Sequence, residues 1–175
     1  NESRDGVQRV KKIVENLRDF SRVDASEWHY ANLEQGLEST LNIVWNEVKY
    51  KAEVVREYAG LPDVECIAAQ INQVFMNLLV NAAHAIAERG TITLRTGFDE
   101  REVWVEVEDT GVGIKPENLK RVFEPFFTTH SKGTGLGLYI SRELAEANGA
   151  VLELCAGEPA GLPGAHFRLI GRVKP

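Results

Sequence analysis

Cysteine is nearly missing from this chain. Its 175 residues hold two, Cys66 and Cys155, far apart and in no C-x-x-C pair. They give no sign of a disulfide framework or a thiolate metal site, and they suit a reducing cytoplasm. Positive charge is also in short supply: 20 Lys and Arg against 26 Asp and Glu leave a net charge of -6. Nucleic acid is therefore not expected as a partner, because phosphate contacts need clustered Lys and Arg. No apolar run approaches the ~18 residues that span a bilayer. The polar opening NESRDGVQRV is not a secretory leader. No membrane contact is expected from these residues, and any anchor lies outside them.

What is present is an ordinary globular balance, 43% hydrophobic and 26% charged. Residues 5 to 22 carry Val7, Val10, Val14 and Leu17 at helical steps, with Ile13 and Phe20 widening the stripe. A stripe this strong predicts packing on another helix. After VDASEW the pattern changes. HYANL predicts a short strand, and Asn32 a cap for a helix running to about Val48. AEVVREY and VECI read as strands. AAQINQVFMNLLVNAAHAIAER reads as a long helix closed by Gly90. TITLRTGF and EVWVEVED alternate apolar and polar residues. A short helix is expected near PENLKRVF, and another over LGLYISRELAEANG, stopped by Gly149. AVLELCAG and GAHFRLIG close the chain as strands. Helices and mainly hairpin-linked strands without regular βαβ alternation predict an α+β fold, a two-layer sandwich with helices on one face of a mixed sheet.

Three stretches carry chemistry. In NQVFMNLLVNAAHAI, Asn77, Asn81 and His84 share one face of a helix whose adjacent face is core. Buried amides need partners, since an unpaired one costs about 1–3 kcal/mol. A magnesium ion with its waters and phosphates would supply them, and so would a neighbouring loop. In EDTGVGI, Asp109 sits at a strand end ahead of Gly111 and Gly113. In GTGLGL, Gly133, Gly135 and Gly137 open a helix, so free N–H groups and the positive dipole end face an anion, with Lys132 nearby. The dinucleotide and P-loop patterns are both absent. The two glycine sites divide one nucleotide between them. Carboxylates repel phosphate, so the phosphates go to the second site. Asp109, an acceptor only, matches the exocyclic amine of adenine. Guanine has a carbonyl there, so ATP is favoured over GTP.

In this order, NLLVNAAHAI, DTGVGI, FEPFF and GTGLGL resemble the N, G1, F and G2 boxes of sensor histidine kinases of two-component systems. The resemblance covers about residues 28 to 175. IVENLRDFSR resembles the second helix of the dimerisation and phosphoacceptor hairpin. Residues 1–24 would then be the truncated hairpin and residues 25–175 the catalytic ATP-binding domain. The implied fold is the α/β sandwich shared with gyrase, MutL and heat-shock chaperone ATPases. The resemblance implies that Asn81 coordinates Mg2+, that Asn77 and His84 lie near the phosphates, and that Asp109 holds the adenine amine. Gly111, Gly113 and Ile114 would line the base. Phe123 to Phe127 would hinge a lid. Phe127, Lys132, Gly133, Thr134, Gly135, Leu136, Gly137 and Leu138 would complete the ATP site.

Three departures stand out. None of His29, His84, His130 and His166 has the context of the phosphorylated histidine, so the acceptor lies outside the chain. The segment FFTTHSKGTGLGL is shorter than many lids of such kinases. GAHF replaces the frequent Gly-Thr-Thr-Phe, removing a hydroxyl expected near adenine. The expected function is transfer of the γ-phosphoryl of Mg-ATP to a histidine of the same protein's hairpin, for relay to a response-regulator aspartate. A homodimer through the N-terminal helix and a cytoplasmic setting are expected, the latter alone or beneath a membrane-anchored sensor. Two alternatives are a gyrase-type ATPase, disfavoured because Asn77 stands where those enzymes carry a glutamate base, and a non-catalytic nucleotide-binding or dimerisation module.

Overall fold

The computed structural model describes residues 4, 6–8, 10, 11, 14, 27–129, 133–155 and 164–173. The elements run β1 (His29–Ala31), α1 (Leu33–Ile43), α2 (Trp45–Val48), β2 (Ala52–Glu57), β3 (Val64–Cys66), α3 (Ala68–Ala85), β4 (Gly90–Phe98), β5 (Glu102–Asp109), α4 (Gly137–Ala147), β6 (Val151–Leu154) and β7 (His166–Arg172). Five strands form one sheet in the order β2-β4-β5-β7-β6. β2 and β4 are parallel and every other neighbouring pair is antiparallel. The sheet is therefore mixed, as the sequence predicts. β1 and β3 pair separately as a two-stranded ribbon.

Alternation decides which face of the sheet is covered. Ile92, Leu94, Val103, Val105, Val107, Leu152, Phe167 and Leu169 are buried. They pack with Leu37 and Leu41 of α1, with Val74, Phe75, Leu78 and Leu79 of α3, and with Ile140 and Leu144 of α4. The other face carries polar side chains. One residue from each strand lines up there in register: Glu57 beside Arg95, Arg95 beside Glu106, Glu106 beside Arg168, and Arg168 beside Glu153. The charges alternate across the whole width of the sheet, so each neighbour attracts the next. One row away the indole of Trp104 lies over Gly97, so close that a β-carbon there would sit 2.4 Å from the ring.

α3 and α4 run antiparallel and are pinned to one another at two points. At the start of α3, the Ile67 N–H donates to Asn148 Oδ1 at 2.7 Å, and Asn148 Nδ2 donates to Gln70 Oε1 at 2.7 Å. Halfway along α3, Asn77 donates to the first turn of α4.

Several boundaries differ from the sequence expectation. Asn32 does cap α1, accepting from the Gln35 N–H at 3.0 Å. The helix does not run unbroken to Val48 but breaks at Val44 (φ -97°, ψ 9°). Ile43 and Val44 are both β-branched, which disfavours the helix, and Val44 turns into the core. α3 stops at Ala85, because buried Ile86 turns extended and its carbonyl is taken by Lys51 Nζ at 2.8 Å. Gly90 is therefore not a helix cap but the first residue of β4. The helix expected near PENLKRVF shrinks to a 3-10 turn at Pro116–Asn118. Gly149 follows α4 at φ +70°, the left-handed stop expected of it. In the N-terminal segment, Val7, Val10 and Val14 are helical and exposed. Ile13, Leu17 and Phe20 lie outside the described residues.

Candidate functional site

β5 delivers Asp109 at its last position, paired across the ladder with Ile92. The carboxylate is only 5% exposed. Its Oδ1 accepts from the Gly111 N–H at 2.9 Å and from the Ala165 N–H at 3.4 Å. Among the described residues nothing donates to Oδ2. Burial pushes the carboxyl above the ordinary aspartate range, the two backbone donors pull it back, and neighbouring Glu108 adds to the rise. A carboxylate held this way is an oriented acceptor with little water around it.

The glycines near Asp109 have reasons within the protein. A β-carbon on Gly111 would come within 2.4 Å of the Ala85 carbonyl oxygen, because the loop is seated on the end of α3. The Val112 N–H donates to that same carbonyl at 2.9 Å. Gly113 has φ +74° and needs the left-handed region. Ile114 packs, partly buried, against the core. Gly164 and Ala165 close the far side. Gly164 has φ +123°, and a β-carbon there would sit 1.8 Å from the Asp109 carbonyl oxygen. The Asp109 N–H donates to the Ala165 carbonyl at 2.9 Å. In the sequence, GAHF stands out only as a departure in the last strand. A glycine-alanine pair directly ahead of a strand is the one signal that could have marked these two residues as a wall of the site.

α3 contributes the amides. Asn77 Nδ2 donates to the Gly137 carbonyl at 3.2 Å and to Ser141 Oγ at 2.9 Å. This answers half of the partner question in favour of a protein neighbour. Asn81, one turn on, is exposed. His84 is exposed too, with Nε2 3.8 Å from Glu47 Oε2 of α2.

The glycine stretch before α4 is held from the side of the aromatic segment. The Phe126 N–H donates to the Gly135 carbonyl at 2.8 Å. Gly135 has φ +74° and its missing side chain admits the Phe126 backbone, where a β-carbon would lie 2.3 Å away. Phe126 itself has φ +67°, rare for a non-glycine residue and a sign of locally stored strain. Thr134 Oγ1 accepts from the Leu136 N–H at 3.3 Å, and Leu136 is buried. The N–H groups of Gly137 and Leu138 then open α4 with no backbone partner among the described residues. Gly133 belongs to this approach. Arg121 stacks on the Phe127 ring at 4.5 Å, and Phe123 meets Phe167 edge-on at 6.2 Å. Lys132 and His130 lie outside the described residues.

These pieces meet at one end of the sandwich. α3 is the hub: its C-terminal end seats the Asp109 loop, and its middle holds the first turn of α4. The result is a buried acceptor on one side and an open helix start on the other. No group of three His, Cys, Asp or Glu able to hold a metal occurs among the described residues. A hard cation would take the exposed amide oxygen of Asn81, with the rest of its shell from ligand phosphates and water, which is how Mg2+ is often bound.

Residues 66–170 match the family model described as histidine kinase-, DNA gyrase B- and HSP90-like ATPase. Among curated proteins, the chain is 32% identical over 174 residues to the signal transduction histidine-protein kinase AtoS of Escherichia coli (strain K12), covering 97% of this chain and 28% of that protein. It is 34% identical over 163 residues to the sensor protein kinase PilS of Pseudomonas aeruginosa, covering 90% and 31%. The chain thus spans about a third of the length of these relatives. Among solved structures, the catalytic domain of histidine kinase ThkA superposes with a TM-score of 0.74 at 29% identity, covering 83% of this chain and 95% of that one. Full-length ShkA in complex with AMPPNP gives a TM-score of 0.78 over 99% of this chain and 37% of that one. At 23% identity this last likeness shows the fold alone. The chain belongs to the family of histidine kinase-, DNA gyrase B- and HSP90-like ATPases.

Proposed function

We propose that this chain is the catalytic ATP-binding part of a sensor histidine kinase, presenting the γ-phosphoryl of Mg-ATP to a histidine outside these residues. The observation that carries this reading is Asp109, buried at a strand end with one oxygen spent on two backbone donors and the other left for a donor on a base. The exocyclic amine of adenine supplies such a donor, where guanine presents a carbonyl at the same ring position. The phosphates would extend toward the start of α4, contacting Gly133, Gly135, Gly137 and Lys132, with Asn81 holding Mg2+ and His84 beside it. When bound, Mg2+ would neutralise charge on the phosphates. The chain's own part is positioning, with preset donors and little water at the base.

The kinase names of AtoS, PilS and ThkA support transfer to histidine over hydrolysis. So does Asn77. Its amide donates to α4 and cannot act as the base that activates water. The partners would be the phosphoacceptor hairpin of the same protein and a response-regulator receiver domain. The exposed Val7, Val10 and Val14 support dimerisation through the N-terminal helix. The reading places the chain on the cytoplasmic side. No helix among the described residues is long and apolar enough to cross a membrane.

The test is phosphotransfer from labelled ATP to a separately supplied hairpin that carries a phosphoacceptor histidine, with and without this chain. Label should appear on the hairpin only when the chain is present. Rapid release of inorganic phosphate with no labelled hairpin would instead favour the ATPase.

A further inference from the structure

Ser141 stands on α4 one turn after Gly137 and is completely buried. A hydroxyl in a helix interior gains nothing from apolar packing, and alanine would suit the helix better. Its partner is Asn77. The two N–H donors of the Asn77 amide meet two acceptors on α4, the Gly137 carbonyl at 3.2 Å and Ser141 Oγ at 2.9 Å. A backbone carbonyl can only accept, so the amide cannot be turned over without setting oxygen against oxygen. Nδ2 must face α4, and Oδ1 of the planar group must face away from it.

The pinning of α3 on α4 gives this pair its leverage. The far end of the two helices is clamped independently by Asn148, through Ile67 and Gln70. Loss of the near contact leaves that clamp and the shared core in place, so the helices stay packed while the start of α4 loses its polar tie to α3. That tie lies one turn before Asn81 on α3 and beside the open N–H groups of α4.

We propose that Ser141 is a positioning residue for the nucleotide: it holds the Asn77 amide in one orientation and thereby sets the spacing between the α3 face that carries Asn81 and the first turn of α4. Ser141 touches no ligand and acts through Asn77. The inference rests on the nucleotide reading above and names the residue behind one of its contacts.

The test is calorimetric binding of Mg2+ and AMPPNP to this chain and its variants, with thermal unfolding measured in parallel. Ser141→Ala should weaken binding about three- to tenfold, the effect of one neutral hydrogen bond. Ser141→Cys, a weaker acceptor, should fall between it and the unaltered chain. Asn77→Ala should weaken binding by itself, and adding Ser141→Ala to it should change affinity no further. Asn148→Ala should lower the unfolding temperature while leaving affinity unchanged. Undiminished affinity in Ser141→Ala, or a full further loss when it is added to Asn77→Ala, would overturn the proposal. Failure of the unaltered chain to bind Mg-AMPPNP is a separate outcome that would overturn the nucleotide reading and the positioning role with it.

Discussion

Glu106 on β5 and Arg168 on β7 face one another on the uncovered side of the sheet, with Arg168 Nε 2.8 Å from Glu106 Oε1. Glu106 is 6% exposed although it lies on the face without helices. Arg168, Arg95 and His166 surround it, with His166 Nε2 3.3 Å from Oε2. That approach is an ion-pair distance but not a hydrogen-bond direction, so His166 Nε2 is buried without a hydrogen bond. Removing the central acid should be felt across three strands. Glu106→Ala is expected to cost about 1–2 kcal/mol, because both arginines are more than a third exposed and water takes over part of the loss. Urea unfolding should show an earlier midpoint at an unchanged slope.

Gly164 and Gly60 both have positive φ, but for different reasons. Gly60, at φ +79°, has nothing within 4 Å of an added β-carbon, whereas at Gly164 that atom would strike the Asp109 carbonyl oxygen at 1.8 Å. Gly60→Ala should therefore cost only backbone strain, about 1 kcal/mol. Gly164→Ala must push β7 away from β5, and is expected to cost about 3 kcal/mol or more. Comparing the two variants by thermal unfolding checks the distinction.

Asp109→Asn should abolish ATP binding, since the amide can set a donor against the adenine amine. The same change should raise the unfolding temperature of the nucleotide-free chain at neutral pH. Burial holds the folded carboxyl above its unfolded range. Its contribution to stability is therefore fully present in acid, below the ordinary aspartate range, and is lost as pH rises through the raised titration. The asparagine variant lacks that loss. Unfolding measured from pH 3 to 8 should show the two proteins converging in acid and separating toward neutrality, with the variant the more stable.

Burial pushes both thiols above the ordinary cysteine range. Alkylation by iodoacetamide at neutral pH should be slow for both. Cys155, partly exposed, should react first, and Cys66, buried, only under denaturing conditions. Mass mapping of the labelled peptides over time follows the order directly.

Local chemistry made much of the site readable. Asp109 at the end of an alternating run, and Gly113 and Gly135 where the backbone turns left-handed, follow from short-range patterns. The core faces of β4, β5 and α3 do as well. What stayed hidden depends on distant partners. Nothing near Ala85 says that α3 ends there, since Lys51 takes the carbonyl of Ile86 from across the chain. VECI reads as a strand, yet its ladder with β1 rather than the main sheet is a tertiary outcome. Gly164 and Ala165 reach Asp109 across more than fifty positions, and Asn77 finds Ser141 only once two helices have packed.

The arrival of Gly164 and Ala165 over Asp109 also bears on synthesis. A ribosome makes the acid well before it makes the residues that enclose it. A nascent chain stopped short of β7 has Asp109 with one backbone donor missing and its strand edge open. On the proposed nucleotide reading, the acid would be fully oriented for a base only once β7 has paired with β5 and brought the Ala165 N–H to it.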